Sequence, residues 1–119
     1  MRLNEIEFGA QPPIDGYGPG GFRIAGDWYD GSLVVLPAGI HRIDALTADA
    51  LSPLLSVANE IDVVLIGQGA EIAAPDPTIR DAIEEAGPGV EFMSTSSACR
   101  TYNVLLAEDR RVAIVVIAV

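Results

Sequence analysis

Apolar and polar positions change rhythm along this chain, and the second half carries the clearer pattern. Val63-Val64-Leu65-Ile66 is a continuous apolar run rich in β-branched residues, as expected of a strand covered on both faces. Asp76-Pro77 offers a helix cap and a first-turn proline. Ile79, Ala82, Ile83 and Ala86 follow at helical spacing, and Gly87-Pro88 supplies the stop. Val90-Glu91-Phe92-Met93 predicts a short strand. Ser94 or Thr95 caps a third helix with Ala98, Tyr102 and Leu105 as its stripe and Cys99 and Leu106 on the flank. Arg110 and Arg111 fall at the C-terminal end of that helix, where cations complement the helix dipole. Val112 to Ile117 is a last, strongly apolar strand. Helices between buried strands imply right-handed crossovers and a parallel section of sheet.

The first half is less regular. Residues 1–21 are turn-rich, and Ile14-Asp15-Gly16-Tyr17-Gly18-Pro19-Gly20-Gly21 packs four glycines and a proline into eight positions. Glycine supplies backbone angles other residues resist and proline fixes its own, so this stretch predicts a chain reversal or wrapped loop. A phosphate-cradling loop would need a following Lys-Ser/Thr and a helix, but Phe22-Arg23-Ile24 alternates like a strand. Phe22 to Ile24 and Ser32 to Leu36 read as an antiparallel hairpin joined through Asp27-Trp28-Tyr29-Asp30-Gly31. Ile40 to Ile43 offers one more pairing segment. Thr47 to Asn59 is helical in composition, with Ser52-Pro53 predicting that its longer piece begins at Ser52. Added together, the elements give one α/β domain over residues 1–119. Its sheet is mixed because the N-terminal hairpin extends a parallel section.

Composition narrows the function classes. At 119 residues the chain suits one hydrophobic core, and half of it is apolar, which excludes a disordered tail. A formal charge of −10 repels nucleic-acid backbones and anionic membrane surfaces. No run of eighteen apolar residues exists, so no membrane insertion is expected. Met1-Arg2-Leu3-Asn4-Glu5 carries an acid early and no apolar core of an export signal follows. The single cysteine cannot form an internal disulfide and fits a reducing, cytoplasmic setting.

Chemistry in an open α/β sheet gathers beyond the carboxyl ends of parallel strands. Two such ends are visible. Gly67-Gln68-Gly69 lets the backbone approach a neighbour or ligand closely, but the dinucleotide fingerprint fails because position 72 is Ile. Ser94-Thr95-Ser96-Ser97 places hydroxyls and unpaired amides at a helix start. That is either an anion site, with Arg100 as countercharge and Tyr102 or Asn103 orienting the ligand, or simply a cap with the other hydroxyls in water. Helical geometry limits the first reading, because Arg100 should point away from Ala98 and Tyr102 by roughly half a turn. His41 has no nucleophile elbow to serve, and one His, one Cys and scattered carboxylates offer no metal-ligand spacing. Cys99 reads as a small buried apolar residue, Glu84-Glu85 as a solvated helix face, and Trp28 and Tyr29 as core lids or contact residues. No catalytic residue, metal or cofactor is therefore expected.

Three segments resemble a known family. They are Ile14 to Phe22, Asp62 to Gly69, and Met93-Ser94-Thr95 with Ala98-Cys99-Arg100-Thr101-Tyr102-Asn103-Val104-Leu105, continued by Glu108, Arg110 and Arg111. They are similar, in the same order, to the small domain family of unknown function that includes a mitochondrial assembly factor for respiratory complex I and uncharacterised bacterial and archaeal relatives. Gly39-Ile40-His41-Arg42 departs from that pattern, which often carries a tryptophan there. The resemblance implies a three-layer fold with a mixed central sheet. It also implies a non-enzymatic interaction or assembly role with an unknown protein partner, such as a membrane-complex subunit; apolar surface near Trp28 and the hairpin suits a homodimer, and a chain of 119 residues can also stand alone as a monomer. The alternative is a small-molecule or anion-binding domain, or an enzyme of unknown reaction, using the helix start after Met93. A redox role for Cys99 ranks last.

Overall fold

The computed structural model describes residues 5–6, 11–71 and 73–119, with backbone only for Glu5 and Ile6. The export-signal reading of residues 1–4 and the glycine break at Ile72 lie outside the described residues. The strands run in chain order as β1 Glu5–Ile6, β2 Ile14–Gly18, β3 Gly21–Ile24, β4 Asp27–Asp30 and β5 Ser32–Leu36. After them come β6 Gly39–Ile43, β7 Val63–Gly67, β8 Gly89–Met93 and β9 Val112–Val116. The helices are α1 Ser52–Leu55, α2 Pro77–Ala86 and α3 Thr95–Ala107.

Six strands form a mixed sheet in the order β1-β6-β5-β9-β7-β8. β7 runs parallel to β8 and β9, while β5 joins β9 and β6 antiparallel. The central strands are apolar on both faces because both faces are covered. In β9, Val112, Ile114 and Val116 enter one core with Ala98, Cys99 and Tyr102 of α3; Ala113 and Val115 enter the other with Ile79 and Ile83 of α2. A helix on each face makes three layers. The short segment of 3-10 turns and α1 across residues 49–60 joins α2 on its side of the sheet, since Leu51, Leu54 and Ala58 are buried there or beside it.

Strands β2, β3 and β4 form a separate antiparallel sheet on the α3 side, where Ile14, Phe22, Ile24 and Tyr29 join the same core as Tyr102. The expected hairpin is therefore corrected in its partners. Phe22–Ile24 pairs with Asp27–Asp30, and Ser32–Leu36 pairs with β6 and β9 in the large sheet. The cause is local. Ala25 and Gly26 take positive φ values of 53° and 84°, a tight reversal that comes before the Asp-Gly pair. Gly31, at φ 88°, hands the chain to the other sheet. The segment from Ile14 to Gly21 is corrected too. It reverses at Pro19-Gly20 as expected, but its first five residues are strand β2. The 47–59 helix breaks into short pieces, with Leu51 rather than Ser52 at the cap of α1.

The α2 boundaries stand where the sequence puts them. Asp76 Oδ1 accepts from the Thr78 N–H at 2.8 Å, and Gly87 at φ 124° closes the helix. α3 begins after Ser94 as expected but ends at Ala107, with no basic residue in its last turn. Arg110 and Arg111 lie beyond it. Instead of facing the dipole, Arg111 pairs with Asp62 at 2.7 Å, tying the segments that lead into β9 and β7.

Candidate functional site

The carboxyl ends of β7 and β8 meet the start of α3 through a closed set of hydrogen bonds. Thr95 is 0% exposed. Its hydroxyl donates to the Ile117 carbonyl at 2.7 Å and accepts from the Gly69 N–H at 2.9 Å. The Thr95 N–H donates to the Gly69 carbonyl at 2.8 Å, Gln68 N–H to Met93 at 2.9 Å, and Ile117 N–H to Gly67 at 2.9 Å. Gly67 is required by this approach, because a Cβ there would stand 2.8 Å from Thr95 Cα. Ser94 caps α3 by accepting from the Ser97 N–H at 3.4 Å. Gly67, Gln68, Gly69, Ser94 and Thr95 thus lie at one place in the fold, where Gly69 bonds to Thr95 and the others bond to neighbouring residues of the protein, Gly67 to Ile117, Gln68 to Met93 and Ser94 to Ser97.

Tyr102 and Asn103 hold the chain that enters β2. The buried Tyr102 hydroxyl donates to the Pro12 carbonyl at 2.7 Å, and desolvation holds its ionisation well above the ordinary phenol range. Asn103 grips Ile14 at both ends: Oδ1 accepts from its N–H at 2.8 Å, and Nδ2 donates to its carbonyl at 2.8 Å. This side chain does for one residue what a neighbouring strand would do.

Arg100 stands apart from the Thr95 clasp and is exposed. With Ser96, Cys99, Asn103 and Val104 it forms the α3 wall of an open groove whose other wall is Ile14 to Tyr17 of β2. The groove measures about 350 Å³. Two apolar residues at this groove face solvent, Tyr17 at 46% and Val104 at 52% exposure. Sequence reasoning missed both: Tyr17 sat in a stretch read as turn, and Val104 lies off the buried stripe. A second helical period would have revealed the wall, since 96, 99, 100, 103 and 104 share a face. Cys99 is buried at the groove floor, where desolvation pushes its thiol up to about 11.

A smaller cleft of about 190 Å³ lies across the molecule, where His41 and the Leu36–Gly39 turn meet Pro53, Ser56, Val57 and Glu60. Tyr29 is a core residue, whereas Trp28 is exposed. Among the described residues, no three His, Cys, Asp or Glu side chains come together as a metal-holding group.

Helices on both faces of a mixed sheet, a small antiparallel sheet beside α3, and an open groove between them define a three-layer α/β domain of mixed topology. The chain belongs to a family described as protein of unknown function (DUF498/DUF598), which matches residues 14–117. It is 44% identical over 115 residues to an uncharacterised Rhodobacter capsulatus protein, covering 94% of this chain and 89% of that one. Mouse NADH dehydrogenase (ubiquinone) 1 alpha subcomplex assembly factor 3 is 29% identical over 115 residues, covering 92% of this chain. The match spans 62% of that longer protein. Among solved structures, a Bartonella henselae protein described as an outer membrane protein is 40% identical with a TM-score of 0.86, covering 93% of this chain and 98% of its own. Among the described residues here, no helix is long and apolar enough to cross a membrane.

Proposed function

We propose that residues 1–119 act as one protein-docking domain of the assembly-factor kind, receiving a segment of a partner polypeptide in the groove between β2 and α3. One observation carries this reading. The groove presents Tyr17 and Val104 to solvent beside the charged Arg100, while the polar groups at the Thr95 clasp bond within the protein. An exposed tyrosine and an arginine are usual anchors of a protein interface, and an apolar neighbour such as Val104 helps to exclude water around them. The mouse relative is named an assembly factor of NADH dehydrogenase (ubiquinone), which supports the partner class of this reading, a subunit of a membrane complex. In this reading the domain is non-enzymatic, works in the cytoplasm as monomer or homodimer, and inserts into no membrane.

Photo-crosslinking residues placed at Tyr17 and Val104 in the native cell test it. The expected result is one recurrent partner that reconstitutes with the purified domain, and whose capture is lost in Val104→Asp at an unchanged melting temperature. Absence of any stoichiometric partner, or turnover abolished by trimming one groove side chain, overturns the reading.

A second reading has its own support: about 350 Å³ lies within the size range of small-ligand sites, and Arg100 on the wall supplies a countercharge for an anion. A thermal-shift screen of anionic metabolites checks it. Stabilisation that disappears in Arg100→Ala would move the function to small-molecule binding.

A further inference from the structure

The small sheet turns Tyr17, Phe22 and Tyr29 toward α3 and leaves its other face outward. The pairing places Gly16, Arg23 and Trp28 in one row of that outer face, with Gly18, Gly21 and Asp30 in the next. Across these rows the Trp28 indole lies over bare backbone. Its Cζ2 stands 2.8 Å from where a Gly21 Cβ would be, and its Cη2 3.6 Å from a Gly18 Cβ. Any larger residue at position 21 would collide with the Tyr29 carbonyl oxygen as well as with the ring. The indole N–H donates to Asp30 Oδ1 at 2.8 Å, so the ring is fixed at its polar edge as well as over the glycines. Even so, Trp28 remains 43% exposed.

A large aromatic side chain held in one orientation yet left in water is a preformed contact, with little further side-chain entropy to lose on binding. Its chemistry favours cations. An indole face attracts positive charge through its quadrupole, and the Asp30 carboxylate adds an anion at the ring edge. The surroundings agree: residues 14–30 hold three aspartates, Asp15, Asp27 and Asp30, against one arginine, Arg23, in a chain of net charge −10. Guanidinium matches this pair of attractors better than ammonium, because its plane can stack on the ring while its fork meets the carboxylate. Arg23, across the ladder from Trp28, repels a cation from its own side and leaves the Asp30 side as the approach.

We propose that Trp28 and Asp30 form a docking site for an arginine side chain carried by a basic segment of a protein partner. The site is on the opposite face of the small sheet from the groove and stands independently of the function proposed for that groove.

The chain contains a single tryptophan, so one indole N–H resonance reports the site in the unmodified protein. Penta-arginine is titrated into the isotope-labelled full chain at about 0.15 M salt, with pentalysine and pentaglutamate in parallel. The indole signal and the Gly18 and Gly21 amides are expected to move saturably with penta-arginine, several-fold more weakly with pentalysine, and not with pentaglutamate. Trp28→Ala keeps the net charge and is expected to lower affinity about tenfold, and Asp30→Asn about threefold. Arg23→Gln is expected to raise affinity, and the Asn103 and Val104 amides, in the groove, are expected to stay still. An indole signal that stays still, or wild-type affinity in folded Trp28→Ala, overturns the proposal by reducing any binding to general attraction between a polycation and an acidic protein. Saturable movement of the Asn103 and Val104 amides in place of the indole signal would instead put the cation in the groove and likewise overturn it, while leaving the groove's role as a docking site standing.

Discussion

Thr95 uses its hydroxyl as donor and acceptor at once, joining three chain segments that meet nowhere else in sequence. Replacing it with valine keeps the shape and strands both partners, the Gly69 N–H and the Ile117 carbonyl, in a buried place. The expected loss is about 1–3 kcal/mol by urea denaturation. Thr95→Ser, which keeps both bonds and removes a methyl, should recover most of it. Cys99 gives a second test. Its thiol is raised by desolvation to about 11, so the folded state favours the protonated form. That contribution is fully present below the ordinary thiol value, and is lost as the pH rises from there through about 11. At pH near 8 a thiol reagent should therefore modify folded protein slowly and denatured protein fast, a difference read directly by stopped-flow absorbance. The sequence suggested both residues correctly as far as local chemistry goes, a helix-start hydroxyl and a small buried side chain. What Thr95 binds was hidden, because Gly69 and Ile117 are 26 and 22 residues away.

At the scale of elements, α3 does two jobs with two faces. Ala98, Cys99 and Tyr102 pack into the core, and the face holding Arg100, Asn103 and Val104 borders β2. Asn103 secures that border by occupying both backbone groups of Ile14. Asn103→Leu should speed hydrogen exchange at the Ile14 amide and lower stability by about 1–2 kcal/mol, leaving α2 and β8 protected. An unchanged Ile14 exchange rate would show that the β2 ladder alone holds this edge. α2 was legible from sequence to the residue, since Asp76-Pro77 and Gly87-Pro88 act on their own helix without tertiary help. The small sheet was not, because a reversal at Ala25-Gly26 needs a left-handed alanine that only the packing of Phe22 and Tyr29 against α3 rewards.

For the molecule as a whole, the acidic balance makes low pH the informative variable. Asp62 lies outside the core, and its hydrogen bond to Arg111 holds its carboxyl below the ordinary range, with Arg110 adding a smaller pull. Its contribution is present above the unfolded carboxylate value and lost as the pH falls through the lower folded one. Asp62→Asn should therefore melt lower than the parent at neutral pH, with the gap closing as the pH falls below the ordinary carboxylate range, as paired thermal scans would show. By itself the sequence determined the class of fold, the central strands, α2, the start of α3 and the family, because burial pattern, caps and motif order are local properties of the chain. Tertiary structure alone decided which strands share a sheet, that the Gly67–Gly69 turn closes on Thr95, and that the open surfaces lie along β2 and α3 and over Trp28. Those outcomes depend on contacts between distant segments, whose energies no periodicity along the chain encodes.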